Sequence, residues 1–190
     1  FDRQVVQAAL DYLAEYHEKP QCIFVSTYGP HFPYVAPVDL YLKYKQIVDI
    51  PDSYRSKPDF LNPLVSRRMM DLDDQKVLNA RAAYCAMVET IDSQVGQVRQ
   101  AFDDFLSRQE RQGVFAYLSD HGDQAGEHRL FGKMTFFEAS ARIPLIFAGT
   151  GLRAGQVVAE PVSLVDLGPT LCELAQCRHH ARMAIVFWIR

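Results

Sequence analysis

The chain has 190 residues, of which 48% are hydrophobic and 12% aromatic, so it fits one globular domain or a large part of one. This composition excludes a disordered chain. The formal net charge of -3 gives no sign of a nucleic-acid or membrane-surface partner, and no apolar run approaches the roughly 20 residues of a transmembrane helix.

The first part of the chain contains one predicted helix, one predicted strand and a long irregular stretch. In 3–16, apolar residues recur at helical spacing, which predicts an amphipathic helix. The apolar run 21–27 predicts a short buried strand, and the three prolines and one glycine of 28–37 predict turns. The stretch 38–70 shows no period and is predicted to be a long excursion, of the kind that often carries function.

A long helix is predicted at 72–107. Apolar residues recur there every three or four positions, from Leu78 to Phe105. Asp71 or Asp73 is the predicted N-cap, because a short acidic side chain accepts hydrogen bonds from the free amide groups of a first helical turn.

The second part of the chain alternates strands with shorter helices. Apolar runs at 113–120 and 143–149 predict buried strands, with a short helix near 135–140 between them. The segment 163–176 predicts a final helix with Asp166 as its N-cap. The order strand, long helix, strand, helix, strand, helix predicts an α/β domain whose helices pack on a mainly parallel sheet.

The four cysteines are predicted to be buried free thiols, because none has C-x-x-C spacing and most lie in apolar segments: Cys22, Cys85, Cys172 and Cys177. Free thiols favour a reducing compartment, so a cytoplasmic location is expected. A periplasmic or secreted location stays open, because the chain starts at Phe1 rather than methionine and an address segment could precede it.

The most informative segment is YLSDHGDQAGEHRLFGKMTFFEASARIPLI. Asp120 and His121 stand where the strand predicted at 113–120 ends, and Gly122 permits a turn that lets neighbouring side chains converge. An Asp oxygen and a His nitrogen are both good ligands for a divalent cation, and Lys133 offers a compact positive charge to an anionic oxygen. Further polar candidates on the same loop are Asp123, Glu127 and His128.

Each of these residues also has a structural interpretation. The letters S-D-H-G-D alone fit a polar turn with a helix cap, Lys133 alone fits a solvated surface position, and His128 alone fits an exposed or structural role. The combination favours a functional site: D-H-G follows an apolar strand, and G-E-H, G-K, F-E and R-I-P-L-I come after it in that order.

Four segments together resemble a known family: FVSTYGPHFPY, RAAYCAMVETIDSQVGQV, YLSDHGDQAGEHRLFGKMTFFEASARIPLIFAG and PVSLVDLGPTLCELA. They resemble the C-terminal part of the catalytic domain of sulfatases, in the alkaline phosphatase superfamily, and most of all its choline-sulfatase-like and phosphonate-monoester-hydrolase-like members. The resemblance implies an alkaline-phosphatase-like three-layer α/β/α fold with a mostly parallel mixed sheet, present here incompletely.

The resemblance also implies a site. It implies a divalent metal, most often calcium and otherwise manganese or magnesium, beside a covalent nucleophile, with Asp120 and His121 as metal ligands. Lys133 would contact the sulfate or phosphoryl oxygens, and His31 in GPHFPY would contact the substrate and assist the leaving group. Metal, lysine and histidine can each stabilise the charge that develops when such an ester is cleaved.

Other residues that fit the family pattern are given structural roles. Glu138 and Arg142 are predicted to form an ion pair at (i, i+4) spacing. Tyr84 and Asp92 are predicted to be structural residues of the long helix. His31 itself has an alternative as a turn histidine packed on its aromatic neighbours. Several aromatic residues either line a pocket for a choline-like cation or pack in the core: Tyr28, Phe32, Tyr34 and Tyr41.

The sequence departs from the family pattern in two places. It contains no C-x-P-x-R or S-x-P-x-R motif, whose cysteine or serine the family converts to formylglycine, and no first acidic metal-binding pair. Residues 1–177 are therefore expected to form part of a catalytic domain that is not competent alone. The tail 178–190 is expected to be atypical, either a final apolar strand, MAIVFW, or the product of a shifted reading frame.

The leading hypothesis is a metal-dependent hydrolase of small-molecule sulfate esters. Two alternatives stay open: a phosphonate or phosphate ester hydrolase of the same superfamily, and a non-catalytic remnant that persists as a binding or assembly module. An incomplete sheet with exposed edges would favour a homo-oligomer.

Overall fold

A computed structural model describes residues 1–56 and 63–175. Its helices and strands, with two single 3-10 turns, follow in chain order: α1 Asp2–Ala14, α2 Val38–Tyr44, α3 Asp52–Arg55, α4 Pro63–Ser66, α5 Asp74–Arg108, β1 Val114–Leu118, the turn Glu127–Arg129, α6 Glu138–Ala141, β2 Leu145–Gly149, the turn Leu164–Asp166, and α7 Leu167–Leu174. None of the helices in these residues is long and apolar enough to cross a membrane.

The core lies between α1 and the C-terminal half of α5. The apolar face predicted for 3–16 is buried as expected, and it packs against one side of α5. The fully packed members are Val6, Ala9, Leu13, Val98 and Phe105. The packed pair of α1 and α5 is therefore the core against which neighbouring segments lie.

The far end of α1 is tied to α5 by charged donors. The Arg108 guanidinium donates to Leu13 O at 2.6 Å and to Ala14 O at 2.8 Å. Arg111, which follows α5, donates to the carbonyls of Glu18 and Lys19 in the segment that follows α1. The last carbonyls of a helix have no partner within the helix, so the two Arg108 bonds satisfy groups that would otherwise need water.

The start of α5 confirms one of the two predicted caps. The Asp73 carboxylate accepts a hydrogen bond from Lys76 N at 2.9 Å, with Asp73 itself in an extended conformation. Asp71 lies outside the helix and pairs instead with Arg129 at 3.5 Å. The helix runs from Asp74 to Arg108, close to the predicted 72–107.

The two strands pair antiparallel, with Val114 opposite Gly149 and Leu118 opposite Leu145. In the described residues they form the only sheet, so the parallel neighbours expected from the element order are not seen there. The reason is local. Gly122 N donates to Ser140 O at 2.8 Å, so α6 lies beside the end of β1 and the chain enters β2 from that end.

Two predictions about the first 70 residues were wrong. The run 21–27 forms no strand, and Phe24 is 46% exposed. Val25 of this run packs against the α1–α5 core, so part of its apolar character serves helix packing rather than a sheet. The stretch 38–70 is not irregular throughout, because it contains the short helices α2, α3 and α4.

The cysteine prediction also needs correction, and the cap predicted for the last helix differs in its hydrogen bond. Cys22 is exposed, because 21–27 is not a buried strand, while Cys85 and Cys172 are partly buried free thiols. Asp166 is the N-cap residue of α7, as predicted, but its side chain makes no capping bond to that helix. It accepts from Ser163 N at 3.1 Å instead, as the third residue of the capping box that Ser163 begins at the preceding 3-10 turn. Cys177 and the tail 178–190 lie outside the described residues.

A partly buried hydrogen bond joins the segment after His31 to the loop after β1, and a ring contact links both to α5. Tyr34 Oη donates to Asp123 Oδ1 at 2.8 Å, and the Tyr34 ring meets the Tyr84 ring of α5 edge-on at 5.9 Å. Burial, followed by the nearby Asp123 carboxylate, raises the pKa of Tyr84 to about 12. The same causes raise the pKa of Tyr34 well above its usual value, so both phenols stay protonated at neutral pH.

Replacing Arg108 by Ala is expected to lower the free energy of unfolding by about 1–3 kcal/mol, because the carbonyls of Leu13 and Ala14 lose a charged donor. Urea unfolding measures this. Arg142→Ala is the control. Arg142 pairs with Glu138 at 3.6 Å as predicted, but the side chains are 82% and 84% exposed. Removing the exposed Arg142 side chain should therefore leave the free energy of unfolding unchanged. An equal loss of unfolding free energy in the two variants would contradict a stabilising role for the Arg108 hydrogen bonds.

Stability is expected to fall as the pH rises from about 10 towards 12. Tyrosines of the unfolded chain ionise near pH 10, whereas folded Tyr84 keeps its proton to about pH 12. The unfolded state therefore binds fewer protons in this window, and the free energy of unfolding decreases with pH. Urea unfolding across the window should show a shallower decrease for Tyr84→Phe. Tyr16→Phe, at a 76% exposed position, should follow the wild type.

Candidate functional site

The candidate site is built on the loop that follows β1. A glycine is needed at position 122 because a side chain would clash with α6, not because of its φ angle. A Cβ atom at this position would lie 2.1 Å from Ala139 O, so any other residue would push α6 away. Left-handed backbone recurs further along the loop, at Ala125, Gly126, His128, Arg129, Gly132 and Met134. The loop is thus a tightly wound segment whose shape depends on specific hydrogen bonds.

Asp123 holds this loop together. Its Oδ1 atom accepts hydrogen bonds from Tyr34 Oη at 2.8 Å, from Ala125 N at 2.9 Å and from Gly132 N at 3.0 Å. These three bonds use Oδ1, so this oxygen of Asp123 organises the loop. The bond to Gly132 also fixes the position of the next residue, Lys133.

Lys133 and His31 meet directly. Lys133 Nζ lies 2.6 Å from His31 Nε2, and it also lies 5.9 Å from the centre of the Phe32 ring. His31 Nδ1 lies 2.7 Å from Phe32 O, which can only accept a hydrogen bond. This assigns the ring proton to Nδ1 and leaves the Nε2 lone pair to accept from the lysine ammonium.

The loop that carries His31 is itself closed by hydrogen bonds. Tyr28 Oη donates to Phe32 O at 2.7 Å, the same carbonyl that accepts from His31. His31 N donates to Tyr28 O at 3.2 Å. At the base of the loop, the Asp2 carboxylate accepts from the backbone amides of Tyr28 and Gly29, both at 2.8 Å. Both prolines that flank His31 follow cis peptide bonds.

Asp120 and His121 lie beside this pair. The His121 ring centre is 6.0 Å from the His31 ring centre, and His121 Nε2 is 3.6 Å from Asp120 Oδ2. His121 Nδ1 lies 2.8 Å from Gly122 O, which assigns its proton to Nδ1 and leaves Nε2 free. The structure therefore brings together all four residues that the sequence singled out for metal and anion contacts.

The donors fit part of a metal site. A carboxylate oxygen and a bare imidazole nitrogen 3.6 Å apart can both ligate one cation, since metal–ligand bonds of about 2.0–2.6 Å place neighbouring ligand atoms about 3–4 Å apart. Within residues 1–56 and 63–175, however, no group of three or more His, Cys, Asp or Glu side chains is arranged for a metal. Calcium takes about six to eight oxygen ligands, so this pair supplies only a fraction of a shell.

The remaining polar candidates of the loop lie elsewhere. Glu127 accepts a hydrogen bond from Ser53 Oγ of α3. The His128 ring stacks on Phe137 with ring centres 4.0 Å apart. Both side chains thus contact neighbouring segments of the fold, which favours the structural interpretation for these two residues.

The aromatic residues do not form one pocket. Tyr34 and Tyr41 line a cavity of about 500 Å³ between α2, α5 and residues 35–36. Tyr28 and Phe32, each 50% exposed, lie at the His31 loop instead. Tyr34 also packs against the Tyr84 ring and donates to Asp123, so it takes part in both a cavity wall and the packing of the fold.

Sequence reasoning missed the residues that position the site. Asp2 was not singled out, because a first-turn acidic residue indicates only the start of a helix. Its hydrogen bonds reach 26 and 27 positions along the chain, and the bond between Tyr34 and Asp123 spans 89 positions. No local pattern in the sequence encodes contacts at these separations.

Comparison with known proteins gives a consistent result. The family model described as Sulfatase matches residues 1–177. The choline-sulfatase of Rhizobium meliloti is 34% identical over 165 residues, which cover 83% of this chain and 32% of the relative. Arylsulfatase K of Danio rerio is 37% identical over 132 residues, covering 67% of this chain and 25% of the relative. The chain thus spans about a third or less of the length of these relatives.

Solved structures agree on the fold. A 2-O GAG sulfatase has a TM-score of 0.66 at 19% identity, with 95% of this chain and 42% of that chain covered. The phosphonate monoester hydrolase of Silicibacter pomeroyi has a TM-score of 0.59 at 24% identity, with 77% and 32% covered. These likenesses confirm the predicted alkaline-phosphatase-like α/β fold, of which the antiparallel β1–β2 pair and its helices are a part. By its match to the family model over residues 1–177, the chain belongs to the sulfatase family.

Proposed function

We propose that this chain carries the metal-binding and anion-binding part of a sulfatase active site that acts on small-molecule sulfate esters. One observation carries the proposal: Lys133 Nζ lies 2.6 Å from His31 Nε2, and the His121 ring lies 6.0 Å from the His31 ring. Residues from two distant loops therefore meet at one place, with an ammonium group, two imidazoles and a carboxylate within it.

Lys133 and His31 form the anion side of this site. The lysine ammonium has three donors, and the bond to His31 uses one of them, so the others can bind sulfuryl oxygens. The lone pair on His31 Nε2 accepts from the Lys133 ammonium, so it can take up the proton that the two groups share, and Phe32 O stabilises the imidazolium that results. Protonated His31 can then donate to the leaving oxygen, where negative charge develops as the ester bond breaks.

Asp120 and His121 form the cation side. We propose that they hold a divalent ion, calcium first and manganese or magnesium as alternatives, through Asp120 Oδ2 and His121 Nε2. Such an ion supplies positive charge that stabilises the sulfuryl oxygens during cleavage. The bond from His121 Nδ1 to Gly122 O keeps the ring oriented with Nε2 outward, as outer hydrogen bonds do for ligating histidines.

The covalent step needs a group outside these residues. The sequence contains no C-x-P-x-R or S-x-P-x-R motif, so formylglycine cannot arise within its 190 residues. The proposal therefore assigns binding and charge stabilisation to this chain, and we expect no turnover of aryl sulfate esters by the chain alone. Enzyme-like turnover by the purified chain would contradict this division of roles.

A phosphonate or phosphate ester is the alternative substrate. The observation that favours it is the fold likeness to a phosphonate monoester hydrolase, at a TM-score of 0.59. A lysine, a histidine and a cation stabilise phosphoryl oxygens by the same electrostatics as sulfuryl oxygens. The remaining alternative is a non-catalytic binding module. It predicts that this site binds neither a divalent cation nor sulfate.

Divalent cations are expected to bind weakly at Asp120 and His121 and to raise the melting temperature of the chain. With only two donors, a dissociation constant on the order of 1 mM is expected for Ca2+ or Mn2+. Thermal unfolding with increasing Ca2+ or Mn2+ measures this. Asp120→Asn and His121→Ala should each remove the shift. Asp49→Asn, at a 90% exposed side chain, should keep it. A shift that persists in both site variants would contradict the assignment.

Sulfate is expected to bind at Lys133 and His31. Lys133→Ala and His31→Ala should each weaken binding about tenfold or more, because each removes a charge-assisted contact. Titration calorimetry with sulfate, phosphate and methylphosphonate gives the order of affinities. Lys76→Ala is the control, because Lys76 pairs with Asp73 at 2.9 Å at the start of α5. Tighter phosphate or methylphosphonate binding would favour the alternative substrate. An unchanged affinity in Lys133→Ala would overturn the anion site.

A further inference from the structure

Asp2 lies outside the four site residues, yet its carboxylate is bound to the loop that carries His31. Asp2 Oδ1 accepts from Tyr28 N and Asp2 Oδ2 accepts from Gly29 N, both at 2.8 Å. Each carboxylate oxygen thus accepts from a different backbone amide, and bonds of this charged type are stronger than neutral ones. An acidic residue in a first turn would usually serve its own helix, whereas here it serves a neighbouring loop.

The contact leaves little room for movement. A Cβ atom added at Gly29 would lie 3.0 Å from Asp2 Oδ2 and 3.0 Å from Ile91 Cδ1 of α5. The loop backbone is therefore pressed between the first turn of α1 and the side of α5. Because interiors this tight transmit displacement rather than absorb it, a shift at Gly29 would be passed along the loop.

A continuous chain of hydrogen bonds links Asp2 to Lys133. Tyr28, whose amide Asp2 holds, donates its hydroxyl to Phe32 O, and that carbonyl also accepts from His31 Nδ1. His31 Nε2 then meets Lys133 at 2.6 Å. Holding the loop at Tyr28 and Gly29 therefore holds the His31 ring, both its position and its proton assignment.

We infer that Asp2 is a positioning residue for the candidate site, which fixes the His31 loop so that Nε2 faces Lys133. This inference rests on the proposed function only for the identity of the anion, since the contact between His31 and Lys133 exists without any ligand. It predicts two separable effects of removing the carboxylate: a change in the environment of the His31 ring, and weaker sulfate binding.

The test uses the 190-residue chain and nitrogen-15 NMR of the imidazole groups, which reports which ring nitrogen carries the proton. In Asp2→Asn one acceptor oxygen becomes an amide donor facing a backbone N–H, so the loop should be released. The His31 signals are expected to shift towards a mixture of tautomers, and sulfate affinity is expected to fall about tenfold. Restoring the carboxylate one methylene further out, with Asp2→Glu, should recover part of both effects.

Two further variants control for charge and for folding. Asp11→Asn makes the same charge change on α1, where Asp11 accepts from Gln7 on the exposed face of the helix, and it should leave the His31 signals unchanged. Gly29→Ala keeps the Asp2 charge and should reproduce the Asp2→Asn signals by displacing the loop. Wild-type His31 signals in both Asp2→Asn and Gly29→Ala would overturn the inference.

Sulfate binding by the wild-type chain tests the proposed function, whereas the His31 signals test the positioning role of Asp2. If the wild-type chain binds no sulfate but Asp2→Asn still alters the His31 signals, the positioning role stands and the proposed function fails. If the wild-type chain binds sulfate and Asp2→Asn changes neither readout, the proposed function stands and the positioning role is wrong.

Discussion

The geometry of the candidate site depends on one carboxylate oxygen of the loop after β1. Asp123 Oδ1 accepts three hydrogen bonds, from a tyrosine hydroxyl and from two backbone amides seven residues apart in the same loop. Without it, Ala125 N and Gly132 N would lose their acceptor in a partly buried loop, at a cost of about 1–3 kcal/mol for each unsatisfied group. The left-handed residues of this loop make it unfavourable on backbone grounds, so bonds of this kind are what keep it wound.

On both sides of the site, an aspartate carboxylate that accepts from backbone amides holds the loop in place. On one side Asp123 gathers the loop that presents Lys133, and on the other Asp2 gathers the loop that presents His31. Each aspartate accepts from two backbone amides, and each belongs to a segment anchored to α5, through Tyr34 and Tyr84 in one case and through the packed face of α1 in the other. The contact between Lys133 and His31 is therefore a consequence of two separate anchors on one long helix.

The residues proposed to carry the chemistry could be singled out from the sequence, because their types are rare together and most lie within one short segment. Asp120, His121 and Lys133 fall within fourteen positions, and His31 is marked by its prolines. The residues that position them could not be predicted, because Asp2 and Tyr34 act across long separations. Apolar content in 21–27 indicated burial correctly for Val25 but could not tell helix packing from a strand. Helices of seven and four residues, such as α2 and α3, are too short to show a period in 38–70.

The same limit applies to the direction of the strands. An alternating order of strands and helices predicts parallel strands only when each connecting helix is long enough to carry the chain back along the sheet. Here the helix before β2 has four residues and lies at the end of β1, so the chain reverses instead. Element order predicted the α/β class, whereas the direction of this pair depended on the hydrogen bond between Gly122 and Ser140.

The two histidines of the site show how one tautomer can serve opposite charges. In both rings Nδ1 faces a backbone carbonyl, Phe32 O for His31 and Gly122 O for His121, so Nε2 carries the lone pair in each. What differs is the neighbour of that atom: Lys133 at 2.6 Å for His31 and Asp120 at 3.6 Å for His121. A lone pair beside a carboxylate favours a cation, whereas a lone pair beside an ammonium favours proton exchange and anionic oxygens. Two rings whose centres are 6.0 Å apart can therefore take different roles through their neighbours alone.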